Sequence, residues 1–312
     1  MVDFEVIREK WPGRVLEMTL GSGPYCVRVG GDMGLPFHHF EAKIPNRPAV
    51  ALEITDFLDG SWPAPLREYW GGLTEDVARW GEKCADLGAD LVALRLASIH
   101  PDARGTPPDE AAVTALKVAA AVRVPLVILG CGDAATDAAV LPEVAAALTG
   151  RNYLLGPATE DNYRTLTAAC LAHGHNVIAR TPLDVNLAKQ LNILIGEMNL
   201  PPERIAMDPS IGPLGYGIEY AYSVIERMRT AALAGDRMLA SPVLCMVGEE
   251  AWRTREAQAG EDRTRKEPSR LAILWEAVTA SVLAVAGASL LVFRHPEAAA
   301  SFRNQMERLA VE

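Results

Sequence analysis

Along this chain of 312 residues, polar side chains able to bind a ligand or move a proton stand directly behind short apolar runs. Asp56 follows the first run, Ser98 and His100 the second, and Gly130-Cys131-Gly132-Asp133 the third. Gly156, Thr159, Glu160 and Asn162 follow the fourth, and Arg180, Thr181, Asp184 and Asn186 the fifth. Asp208 ends the sixth, Gly248, Glu249 and Glu250 follow the seventh, and Arg294 and His295 the eighth. The stretch MDPSIGPLGYGIEY, Met207 to Tyr220, sets Asp208 ahead of Gly212, Gly215 and Gly217, with Tyr216 among them. Such a loop suits a catalytic aspartate with a glycine cradle for phosphate, or a structural turn.

Each of these residues also has a structural reading. Asp133, Thr159 and Asp184 stand where a following helix begins, so capping is expected of them. Arg180 and Asp208 end apolar runs and can pair with each other as readily as with a ligand. His100 and His295 precede prolines, a turn setting that disfavours a catalytic histidine. The chain contains no G-x-x-x-x-G-K-[ST] phosphate loop, no G-x-S-x-G turn, no H-E-x-x-H and no Asp-x-His-x-x-Gly. Gly130-Cys131-Gly132-Asp133 lacks the third glycine of a dinucleotide fingerprint.

The elements that must carry these residues form one repeated alternation. The runs AVALEI (49–54), LVALRL (91–96), PLVIL (125–129), NYLL (152–155), NVIAR (176–180), RIAMD (204–208), PVLCMV (242–247) and SLLVF (289–293) read as near-continuously apolar strands. Between them lie helical patterns. TEDVARWGEKCADLG starts with Thr74 as N-cap and stops at Gly88, DEAAVTALKVAAAV covers 109–122, and LDVNLAKQLNILIGEM covers 183–198. Strands apolar on both faces, alternating with helices, require a parallel sheet covered on both sides. Eight units over about 260 residues predict an α/β fold, a (β/α)8 TIM barrel, with a doubly wound open sheet as the alternative. Residues 1–48 stand outside the repeat. Their segments VLEMTLG and YCVRVGG predict a short β-hairpin-like extension packed on the bottom of the barrel domain, 49–312.

Composition bounds the function. A net charge of −10 argues against nucleic acid and acidic membranes as partners. Five scattered cysteines without a C-x-x-C pair indicate neither a disulfide framework nor a cluster or zinc motif. The opening MVDFEVIREKW is charged where a signal peptide needs an apolar run, so a cytoplasmic location is expected. Leu271 to Phe293 is long enough to span a bilayer, but Glu276 interrupts it and Gly287 divides it, which predicts a buried helix followed by a buried strand.

Three stretches together resemble one family. RVGGDMGLPFHHFE with PNRPAVALEI, MDPSIGPLGYGIEYAYSVIERMR, and WEAVTASVLAVAGASLLVFRHP resemble the small subunit of the corrinoid iron–sulfur protein, the acetyl-CoA decarbonylase/synthase delta subunit of archaeal complexes. The resemblance implies a barrel that forms a heterodimer with a larger subunit. In that family the larger subunit carries the [4Fe-4S] cluster and a cobalamin-binding domain, and the corrinoid lies between that domain and the top of the small subunit's barrel. Methyl transfer then runs from methyltetrahydrofolate, through a methyltransferase, to acetyl-CoA synthase/CO dehydrogenase in the reductive acetyl-CoA pathway. This chain is expected to position and shield the cobalamin rather than to catalyse. The residues expected to contribute are Ser98, Asp133, Thr159, Asn162, Arg180, Thr181, Asp184, Asn186, Asp208, Gly212, Gly215, Tyr216 and Gly217, with no metal ligand among them. The charged segment 248–270 reads as a solvated helix and loop, or as a mobile flap against partner proteins. The alternative is a pterin-dependent TIM-barrel methyltransferase acting on methyltetrahydrofolate, with Asp133, Asn162 and Asp208 as a pterin grip.

Overall fold

The computed structural model describes residues 8–258 and 268–311. Two strands, β1 (Glu17–Leu20) and β2 (Val27–Gly30), form an antiparallel hairpin. Eight more form a single parallel sheet: β3 (Ala49–Thr55), β4 (Leu91–Arg95), β5 (Leu126–Leu129), β6 (Leu154–Ala158), β7 (Asn176–Arg180), β8 (Ile205–Asp208), β9 (Leu244–Cys245) and β10 (Leu290–Phe293). Its order runs β8-β7-β6-β5-β4-β3-β10-β9. A parallel bridge between Met207 and Val243 joins the two edges, with the Met207 amide donating to Pro242 at 2.8 Å. The expected eight-stranded barrel is therefore present.

The helices are α1 (Ala64–Trp70), α2 (Val77–Asp86), α3 (Pro108–Ala121), α4 (Ala134–Ala147), α5 (Tyr163–His173), α6 (Val185–Glu197), α7 (Ile218–Leu233), α8 (Val247–Ala251), α9 (Arg255–Gln258), α10 (Pro268–Ala286) and α11 (Pro296–Val311). Three local expectations shift. Asp76 rather than Thr74 caps α2, accepting from the Ala78 and Arg79 amides, because Thr74 is already held in a 3-10 turn. Asn152 is not in β6. It adopts a left-handed conformation (φ 54) and donates its side-chain amide to Thr19 and Gly21 carbonyls, fixing the hairpin to the barrel. The seventh barrel strand shrinks to two residues because Met246 turns directly into α8. Gly248 permits this: a Cβ there would meet the Arg294 nitrogen at 2.5 Å.

Period-two alternation divides each strand into an outer and an inner row. Val50, Leu52 and Ile54 face the helices; Ala49 and Ala51 face the lumen, as do Leu91, Ala93, Val127, Leu129, Ile178, Ala206 and Val292. The hairpin supplies Met18, Leu20 and Val29 to that inner cluster from below. Each such fully buried side chain stabilises the fold by about 1.5–3 kcal/mol. The apolar stretch 271–293 splits as its composition predicts, into α10, a turn at Gly287 (φ 123) and β10. Among the described residues no helix is long and apolar enough to cross a membrane. Within the charged segment 248–270, residues 259–267 lie outside the described residues; α8 and α9 occupy its first part.

Candidate functional site

The inner rows continue upward into charge. After Ala49 and Ala51 comes Glu53, after Leu91 and Ala93 comes Arg95, after Ile178 comes Arg180, after Ala206 comes Asp208, and after Val292 comes Arg294. These side chains meet at the C-terminal mouth, where barrels of this type assemble their functional loops. Arg95 donates Nε to Glu53 at 2.6 Å and Nη2 to Glu249 of α8 at 2.7 Å. Arg294 grips both oxygens of Glu53, at 2.9 and 3.2 Å, and lies over the Trp62 ring at 4.7 Å. Arg253 extends the chain to Glu249 at 2.7 Å and Glu250 at 2.8 Å. Glu53 and Arg294 are essentially sealed, with side chains 0 and 1% exposed.

Burial by itself would raise the carboxyl pKa values here, but the arginines outweigh it. Arg294 and Arg95 hold Glu53 below its usual range, and Arg95, Arg180, Arg294 and Arg253 hold Glu249 at about 2. The mouth of the lumen is thus occupied by the protein's own ionised pairs. Sequence reading missed Glu53 and Arg95 because both sit inside apolar runs. Their signal is phase: a charge on the inward row, one step beyond two small or apolar inward residues.

Beside this sealed axis lies an open groove of about 880 Å3 over the loops that follow β6, β7 and β8. Arg180 and Thr181 form part of its wall; Leu183, Leu187, Leu191 and Leu194 make an apolar side along α6; Ile211, Gly212, Pro213 and Tyr216 face them. Glu250 and Arg253 reach it from the α8 side. Arg180 pairs with Asp208 at 2.7 Å through Nε, the one hydrogen bond its side chain makes among the described residues, leaving its Nη groups free on the groove side. The Thr181 hydroxyl lies sealed beneath this wall and has no hydrogen-bond partner among the described residues.

The loop 209–217 is fastened. The Leu214 amide donates to Thr279 Oγ1 at 3.2 Å, Trp275 Nε1 donates to the Leu214 carbonyl at 3.0 Å, and the Tyr216 hydroxyl donates to Glu256 at 3.0 Å. Gly212 is needed by the loop itself: a Cβ would lie 2.8 Å from the Gly217 and Tyr216 backbone. Gly217 takes φ 105 to enter α7, a conformation costly for other residues.

The expected site residues divide accordingly. Thr159, Arg180, Thr181, Gly212 and Tyr216 line the groove. Asp208 sits behind Arg180, buried, and Gly215 and Gly217 shape the loop. Asp133 caps α4 through Thr136, and Asp184 caps α6 through the Asn186 and Leu187 amides, with Asn186 exposed in the first turn. Asn162 is buried and accepts from the Thr159 amide at 2.8 Å, holding the loop after β6. Ser98 stands away from the groove, its hydroxyl and amide both donating to Asp56, at 2.5 and 2.9 Å.

A closed parallel barrel with a plugged bottom, an ion-paired axis and an off-axis groove defines the class: a TIM-barrel protein with an open groove at the C-terminal ends of its strands. In solved structures the fold resembles dihydropteroate synthases. That of Xanthomonas albilineans with 4-aminobenzoic acid has a TM-score of 0.57 at 17% identity, covering 85% of this chain and 93% of that one. That of Thermus thermophilus has a TM-score of 0.56 at 16% identity, covering 94% and 99%. This likeness establishes the fold alone. A family model described as CO dehydrogenase/acetyl-CoA synthase delta subunit matches residues 17–300. The acetyl-CoA decarbonylase/synthase complex subunit delta of Archaeoglobus fulgidus is 33% identical, over 98% of this chain and 71% of its own length. Its namesake in Methanothermobacter thermautotrophicus is 36% identical, over 94% and 75%. The chain belongs to the CO dehydrogenase/acetyl-CoA synthase delta subunit family.

Proposed function

We propose that this chain is the small subunit of a cytoplasmic heterodimeric corrinoid iron–sulfur protein, and that the off-axis groove covers one face of the cobalamin held by the larger subunit. The observation that carries the reading is the division of the mouth. The axis, where a barrel enzyme would admit a substrate, is filled by Glu53, Arg95, Glu249 and Arg294, while the accessible surface is a groove beside it. That surface fits the group. A corrin presents amide side chains around an apolar ring, and the groove offers an apolar wall on α6 and the free donors of Arg180. Among the described residues no histidine or cysteine lines it, and the wall offers contact and hydrogen bonds.

When bound, the corrinoid would supply the methyl-carrying cobalt chemistry that links a methyltetrahydrofolate methyltransferase with acetyl-CoA synthase/CO dehydrogenase. This chain's residues do the rest of the work on their side of the interface. Arg180, aimed by Asp208, holds peripheral amide oxygens; the α6 leucines exclude water from one face; the fastened 209–217 loop sets the groove's width. The [4Fe-4S] cluster belongs to the partner.

The test is retention. The chain is purified alone and with its large subunit, and visible spectra and methyltetrahydrofolate binding are recorded. Corrinoid held by the pair, together with negligible folate binding by the isolated chain, supports the reading. Tight folate binding with methyl transfer to free cobalamin by the isolated chain would overturn it and favour the methyltransferase. In the pair, Arg180→Ala is expected to lower corrinoid retention by about tenfold, the value of one charged hydrogen bond. Unchanged retention removes Arg180 from the contact.

A further inference from the structure

At the opposite end of the barrel a second cavity, of about 520 Å3, opens between residues 32–48 and helices α10 and α11. Asp32 lies in its wall, 5% exposed. Among the described residues nothing donates a hydrogen bond to this carboxylate. Arg229 reaches it only through space, because its donors go to the Gly287 and Ser241 carbonyls and to Ser289 Oγ. Burial accordingly pushes the Asp32 pKa up. Ser289, in the same wall, accepts from Arg229 at 2.6 Å and keeps its own hydroxyl proton to donate.

Another part of the wall has the opposite polarity. Arg303 gives Nη2 to Asp90 at 3.0 Å and lines the cavity with its side chain 24% exposed. Lys43 is exposed and forms no ion pair among the described residues. Phe302 and Met306 line the cavity with apolar surface. A carboxylate in a largely buried wall that receives no hydrogen bond from the protein costs free energy until something satisfies it.

We propose that this cavity is a binding site for a small dipolar molecule, with a protonated amine on Asp32, an apolar body along Phe302 and Met306, and a carboxylate or phosphate on Arg303 and Lys43. An anion alone would be repelled by Asp32, and a cation alone by the Lys43 and Arg303 charges in the same wall. The site is remote from the groove at the mouth and stands independently of the role proposed for that groove.

The experiment uses the full chain, alone and paired with its large subunit, followed by calorimetric titration and thermal unfolding. Probes are 6-aminohexanoate for the carboxylate class and phosphoethanolamine for the phosphate class, with hexanoate and hexylamine as single-charge controls. One dipolar probe is expected to bind and raise the unfolding temperature, with both controls at least tenfold weaker. Asp32→Asn should weaken that probe by about 10- to 100-fold, the loss of a charge-assisted hydrogen bond. Lys43→Glu, at an exposed position, should also weaken it and carries the test if Asp32→Asn does not fold. Absence of binding by both dipolar probes at millimolar concentration, or binding unchanged in the variants, would overturn the proposal and leave Asp32 solvated by an ordered water facing Arg229.

Discussion

Replacing Arg95 with methionine keeps most of the side-chain volume and removes the cation that links Glu53 to Glu249. Breaking a buried ion pair from one side costs about 3–5 kcal/mol, chiefly because a charge is stranded away from water. Here neither carboxylate is wholly abandoned. Glu53 keeps both contacts from Arg294, and Glu249 keeps Arg253 at 2.7 Å. The expected loss therefore lies near the low end, about 3 kcal/mol, read as a lower urea midpoint with unchanged slope. Glu249→Gln should cost less, and the double variant less than the sum, because the pair shares one interaction. The network also has a pH signature. Glu249, held at about 2 against 4.5 ordinarily, contributes stability present above the unfolded value and lost as pH falls from about 4.5 towards 2. Arg95→Met should shrink that acid-limb loss. A cost below about 1 kcal/mol, typical of exposed pairs, would show that the axis is not sealed, and the reading of a filled barrel mouth would fall.

Glu276 titrates in the other sense. Burial pushes it up to about 7, against the opposing hydrogen bonds from the Arg294 amide and Trp252 Nε1, so between pH 4.5 and 7 the folded state holds a proton that the unfolded chain has released. Stability should fall by about 3 kcal/mol as pH rises through that window, and Glu276→Gln should flatten the slope in pH-dependent denaturation. Leu20→Ala, removing a fully buried hairpin side chain from the lumen, should cost about 2–5 kcal/mol by chemical denaturation, whereas a hairpin that merely rests on the surface would cost far less. Trp275→Phe with Thr279→Val removes both hydrogen bonds to Leu214 and should speed proteolytic cutting within 209–217 while leaving the thermal midpoint within a few degrees, about 2 kcal/mol being lost.

Much of the barrel is legible in the chain because its signals are local. Apolar runs of strand length separated by capped amphipathic stretches specify a parallel sheet whatever the distant residues are. Asp133 and Asp184 carry their helix caps on their face, and Gly287 marks the break between α10 and β10. Less legible were the ends where another element intrudes. β9 is cut short by α8 pressing on β10, and Asn152 leaves its strand to hold the hairpin.

The candidate site divides along the same line. The residues immediately after the strands could be listed from the sequence, and Arg180, Thr181, Gly212 and Tyr216 do come together on one groove. That Arg180 pairs with Asp208 could be offered from position, since adjacent strands end together. The partnership of Glu53 with Arg294 could not, because the two are 241 residues apart and meet only when β10 returns beside β3. The sequence by itself determined the repeat of eight strand and helix units and the absence of a local metal or nucleotide motif, both consequences of spacing within tens of residues. Tertiary structure alone decided that the axis is filled and the accessible surface lies beside it. Which inward charges neutralise one another depends on how the closed ring brings its strand ends together, and closure is a property of the whole chain.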